Sequence, residues 1–155
     1  MNFQTNKKDG FTIIEVVLVL AIAGLIFLMV FLALPALQRN QRDTQRKADL
    51  SRLQTAVNNH QTNNRGKLPT DDSGWRSLVD KYVLAGDDVF ADPTGADYNV
   101  TTTTTLGSEF SSELPNILVT VGSTCDGETV KSGQGSRKVA LQMVLEGGGI
   151  ACVNN

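Results

Sequence analysis

Lys7-Lys8-Asp9-Gly10-Phe11-Thr12-Ile13-Ile14-Glu15 is the stretch that decides how this chain is built, because a short polar leader meets there an apolar run with one carboxylate near its start. From Phe11 to Leu37 the only clearly polar side chains are Thr12 and Glu15. A run of this length exceeds the roughly 20 residues that carry a helix across a bilayer, so residues 11–37 read as a transmembrane helix. The leader, residues 1–10, ends in Gly immediately before the apolar segment, whereas an ordinary export signal places its small-residue cleavage site after the apolar core.

Gly10 followed by Phe11-Thr12-Ile13-Ile14-Glu15 resembles the type IV prepilins, whose signature is a basic leader ending in Gly and then Phe-Thr-Leu/Ile-Ile-Glu opening a long apolar helix. The resemblance is specific from Lys7 to about Gln38, weaker along the polar helix that follows, and only architectural beyond Gly66. It implies a prepilin peptidase that cuts between Gly10 and Phe11 on the cytoplasmic face and methylates the new amino group of Phe11. It also implies polymerisation with copies of the same chain into a surface filament, drawn from the membrane by a platform protein and an assembly and retraction ATPase. The family's helix-breaking Pro follows its Gly more closely than Pro35 follows Gly24 here. The resemblance makes Gly24–Pro35 the segment expected to unwind, and Pro35, which lacks the N–H for a bond to the Phe31 carbonyl, is expected to kink or open the helix.

Two plainer readings compete. Ala21-Ile22-Ala23 fits an ordinary signal-peptidase site, but the apolar run continues unbroken to Leu37. A simple signal anchor would have no use for Glu15, since a carboxylate within a membrane helix is costly unless partnered. After cleavage the cationic amine of Phe11 on one chain is a suitable partner for Glu15 of another, in surroundings of low dielectric where attraction is strong. Phe11 and Glu15 are therefore the expected assembly residues; the alternative is a Glu15 side chain that snorkels to water.

Charge divides the chain. Residues 1–64 carry seven basic and four acidic side chains, and residues 65–155 seven basic and twelve acidic, which gives +3 and −5 and sums to the overall −2. An acidic head is a poor ligand for nucleic acid and a good electrostatic match for a basic stalk. Orientation is contested: Lys7 and Lys8 precede the span, while Arg39, Arg42, Arg46 and Lys47 follow it and outnumber them. The resemblance to prepilins implies that the cleavage motif faces the cytoplasm, which would place the head outside and the downstream cations against anionic lipid headgroups. The expected location is single-pass in the cytoplasmic membrane before assembly and a cell-surface filament afterwards.

Residues 38–64 read as the amphipathic continuation of the helix. Leu50, Leu53, Val57 and His60, with Ala56 on the flank, form a stripe that would carry the head, and Gly66 is expected at C′ with Pro69 beyond. Over residues 38–47 the helix is polar all round, so that stretch is expected in solvent or in a filament interface. The head, residues 65–155, reads as α+β: a long helix packed on a small antiparallel sheet. Asp71-Asp72-Ser73 caps a helix carrying Trp75, Leu78, Val79 and Tyr82, and strands run over 117–121, 139–145 and 150–153 as a meander.

Cys125 and Cys152, the only cysteines, are expected to be bridged, with two buried thiols as the alternative. Asp87-Asp88 and Asp92-Pro93-Thr94-Gly95-Ala96-Asp97-Tyr98 offer oxygens for calcium, and a related pattern occurs in pseudopilins, but the spacing is not that of an EF-hand and Asp-Pro-Thr-Gly is a good turn in itself. Thr101–Thr105 is an edge strand or a loop, and Asn99-Val100-Thr101 is a glycosylation sequon by pattern. One His, no Gly-rich phosphate loop and no nucleophile beside paired carboxylates point to a structural protein with no catalytic residues, metal or cofactor. The leading expectation is a type IV pilus subunit for adhesion or twitching motility; the alternative is a pseudopilin of a type II secretion or DNA-uptake machine.

Overall fold

A computed structural model describes residues 10–85, 88–103 and 115–155. Lys7, Lys8, Asp9, Gly86, Asp87, Thr104 and Thr105 lie outside these residues. The chain forms two compact units, Met1–Gln38 and Arg39–Asn155, and helix α1, Ile13–Asn63, contributes to both. In the first unit every large apolar side chain from Phe11 to Leu37 is exposed, and an 18-residue window there has a mean hydropathy of 3.2. The helix is unbroken across Gly24 and Pro35.

The second unit is α+β. Helix α2, Asp72–Tyr82, starts from the N-cap Asp71, whose carboxylate accepts from the Gly74 N–H at 3.1 Å. Six strands follow: β1 Asn99–Thr103, β2 Asn116–Val121, β3 Ser123–Asp126, β4 Thr129–Ser132, β5 Val139–Val144 and β6 Ile150–Asn154. The main sheet has the order β1-β2-β5-β6, and β3-β4 form a separate hairpin. Strands β2, β5 and β6 pair antiparallel as expected, but the meander is incomplete, because β1 lies parallel to β2 with Asn99 opposite Asn116. Thr101–Thr103 belong to that edge strand.

The apolar stripe of α1 packs as its spacing requires. Leu50, Leu53, Ala56 and Val57 are buried with Trp75, Leu78 and Val79 of α2 and with Val100, Ile117, Val119, Leu141 and Met143 of the sheet. The stalk end differs by one residue from expectation. The Gly66 N–H reaches the Gln61 carbonyl at 2.7 Å, a six-to-one closure that puts Gly66 at C″ and makes Arg65, at φ +56°, the left-handed C′ residue.

The larger correction concerns residues 38–47. Arg46 is wholly buried, and Asp43 is buried with it, so one face of this stretch packs on the head, while Gln38, Arg39, Asn40, Gln41, Thr44, Gln45 and Lys47 stay exposed. It packs because its charges are paired within the same unit.

Candidate functional site

At the N-terminal junction, Gly10 is exposed, and a Cβ added there would meet nothing within 4 Å. Phe11 is 90% exposed. Thr12 is the N-cap of α1: its carbonyl accepts from the Val16 N–H at 3.3 Å, and its Oγ1 accepts from the Glu15 N–H at 3.4 Å. Glu15 reaches back, and its Oε2 accepts from the Thr12 N–H at 3.0 Å and from the Thr12 hydroxyl at 2.8 Å. This is a capping box, in which two otherwise orphaned backbone donors are satisfied reciprocally, and the negative charge also complements the positive end of the helix dipole. Both bonds use Oε2, and Oε1 has no partner among the described residues. Beyond the two roles expected for Glu15, a partner for the Phe11 amine of another subunit or a side chain snorkelling to water, Thr-x-x-Glu is itself the signal for this local role.

Residues 5–31 match the prokaryotic N-terminal methylation motif. That motif is the class III signal peptide found in type IV pilins. The motif marks the chain as a type IV pilin-like or pseudopilin substrate of prepilin peptidase, and the exposed apolar helix suits membrane anchoring before assembly. No curated protein and no solved structure matches the chain.

The head is fastened to α1 by a cluster of charges just beyond the motif-bearing unit. Arg46 forms a two-pronged pair with Asp92, Nε to Oδ2 at 2.6 Å and Nη2 to Oδ1 at 3.0 Å, while its Nη1 donates to Asp43 at 2.9 Å and to Glu146 at 3.3 Å. Arg42 adds a second fork onto Glu146. Asp43 in turn accepts from the Glu146 and Gly147 N–H groups, both at 2.8 Å. A Cβ at Gly147 would lie 2.9 Å from Asp43 Oδ2, so a larger residue there would have to displace that carboxylate.

Burial would raise the pKa of Asp92, but the Arg46 and Thr94 hydrogen bonds outweigh it and hold the carboxyl below its ordinary value. Burial likewise opposes, and the Gly147, Glu146 and Arg46 donors reverse, the shift of Asp43. The Arg42 hydrogen bond lowers Glu146, and Arg46 is raised chiefly by its bonds to Asp92.

Asp92 therefore has both oxygens engaged by Arg46, and Thr94 adds its N–H and hydroxyl to Oδ1 in the turn that Gly95 closes. The Asp-Pro-Thr-Gly-Ala-Asp-Tyr segment is a clasp on the stalk, completed by Tyr98, whose hydroxyl donates to Asp49 at 3.0 Å. No group of three or more His, Cys, Asp or Glu side chains suited to a metal occurs among the described residues.

Cys125 on β3 and Cys152 on β6 are bridged, with Cα atoms 5.8 Å apart. The bridge staples the separate hairpin to the edge of the main sheet, where the Cys125 N–H also donates to the Asn154 side chain at 3.2 Å.

Proposed function

We propose that this protein is the structural, non-catalytic subunit of a type IV pilus filament serving adhesion or twitching motility. Prepilin peptidase cuts between Gly10 and Phe11 and methylates Phe11, and the chain waits in the membrane with its head outside until it is drawn into the fibre. The observation that supports this reading is the pairing of a fully exposed apolar helix with a Glu15 carboxylate that is half used. Oε2 closes the helix start, and Oε1 is left for the Phe11 amine of a neighbouring subunit, which fixes axial register. Gly24 and Pro35, helical in the monomer, supply the points at which the segment opens during packing.

A pseudopilin of a secretion or DNA-uptake machine is the second reading, favoured by the Asp92–Tyr98 pattern, which here forms the stalk clasp. Intact-mass analysis of the native protein, combined with electron microscopy of sheared surface fibres, tests both. The pilus reading expects Phe11 as the methylated N-terminus and long fibres of this chain. Processed protein with only short assemblies would favour the pseudopilin, and a mature terminus at Met1 or Gly24 would overturn both.

A further inference from the structure

The cations of stalk and head are not used alike. Arg42, Arg46 and Arg52 of the stalk are all in ion pairs. Arg65, Lys67 and Arg137 are in none among the described residues, and all three line one cavity of about 630 Å³ at the far end of the stalk helix. Leu68, Pro69 and Val121 give the cavity an apolar side, and Thr70 and Ser136 bring hydroxyls. The arrangement is built by the chain reversal after α1. Arg65 and Gly66 adopt left-handed backbone, and the bare Gly66 lets the Arg137 guanidinium lie against it, since an added Cβ would come within 2.9 Å of Nε. Three cations without an ion pair among the described residues, gathered at one cavity of a head that is acidic overall, form an anion site of ligand size.

The surroundings narrow the ligand. Among the described residues no aromatic ring lines the cavity, so none of them offers a nucleobase a face to stack on. An extended acidic peptide would dock by adding to the β1 edge, but the outward Thr102 N–H is already bonded to Asp72 at 2.9 Å, and the Thr102 hydroxyl is bonded there too. We propose that this cavity binds a compact sugar carrying sulfate or carboxylate groups, with Lys67 and Arg137 holding the oxyanions and Pro69 and Val121 against the ring.

The test titrates the full-length protein in zwitterionic nanodiscs with a heparin-derived tetrasaccharide, its desulfated form, sodium sulfate and a pentaglutamate peptide. The tetrasaccharide should bind, and Lys67→Gln and Arg137→Gln should each weaken it about tenfold or more, as expected for a lost charge-assisted bond. Lys131→Gln, on β4 and outside the cavity, should leave affinity unchanged. Lys67→Gln keeps the test valid if Arg137→Gln disturbs the Gly66 turn. Absence of tetrasaccharide binding would overturn the proposal, as would equal weakening by Lys131→Gln, which signals diffuse attraction. Equal binding of the desulfated form, of sulfate alone, or of pentaglutamate would overturn the assignment to an anionic sugar.

Discussion

Replacing Arg46 by Leu should cripple the head, and the size of the effect follows from what the guanidinium holds. The change removes both bonds to Asp92 and one each to Asp43 and Glu146. Asp92 is 2% and Asp43 7% exposed, so two carboxylates are stranded away from water. Breaking a buried pair from one side costs about 3–5 kcal/mol, a large part of the roughly 5–15 kcal/mol that a small domain has. At the usual few degrees per kcal/mol the melting temperature should fall by roughly 10–25 °C. Trp75, the chain's only tryptophan and fully buried in the head, reports this by fluorescence in detergent without interference from the apolar helix.

The pH dependence has a definite sign. In the wild type, Asp43 and Asp92 have depressed pKa values when folded, so their contribution is complete above the ordinary value of 3.8 and is lost as pH falls through the depressed values. In Arg46→Leu, Asp92 loses the contact that does most to lower its pKa, burial raises it, and stability should instead increase on mild acidification, while Asp43 keeps its Glu146 and Gly147 donors. Adding Asp92→Leu to Arg46→Leu should recover part of the loss, because the stranded charge is gone. A cost below about 1 kcal/mol for Arg46→Leu, with an unchanged pH slope, would show that water reaches the cluster and would refute the reasoning.

Glu15→Gln keeps a side chain able to close the capping box but removes the charge, so we expect normal membrane levels and processing with few sheared fibres; Glu15→Val should give as few. Normal fibres from Glu15→Gln would assign the residue to helix capping alone. Gly10→Leu should accumulate as uncleaved precursor on immunoblots, and efficient processing would remove Gly10 from the recognition site. Replacing both Cys125 and Cys152 by Ser should lower head stability by about 3–4 kcal/mol on a chain-entropy argument for a separation of 27 residues, read by denaturant titration, with membrane insertion intact.

What the sequence disclosed, and what it hid, follows the range of the interactions. Strands β2, β5 and β6 stand out as apolar runs bounded by glycines. Strand β1, Asn-Val-Thr-Thr-Thr, is too polar to announce itself, and its parallel partner is not its hairpin neighbour. The strands of the β3-β4 hairpin are four residues each, too short for an alternating pattern to stand out. Arg46 was misread because a polar helical turn is usually solvated. A finer signal was present: the Leu50, Leu53, Val57 stripe extends back by one turn to Arg46, flanked by Asp43 and Asp49 three residues to either side. The carboxylates that decide its burial come from Asp92 and Glu146, 46 and 100 positions downstream, where no local pattern points to them.

The same cluster would act as a ratchet on the topology of a chain anchored by its apolar helix. While the chain is being threaded, Arg42 and Arg46 are bare cations next to the span and weigh against their own translocation. Once the head has folded they sit with Asp43, Asp92 and Glu146, two cations among three anions, and that objection disappears. Whichever face of the bilayer the head folds on, sliding back would require these five groups to separate and two buried residues to be stripped of their partners. In a chain anchored by its apolar helix, the folded head would thus hold whichever orientation it was given, irrespective of charge counting.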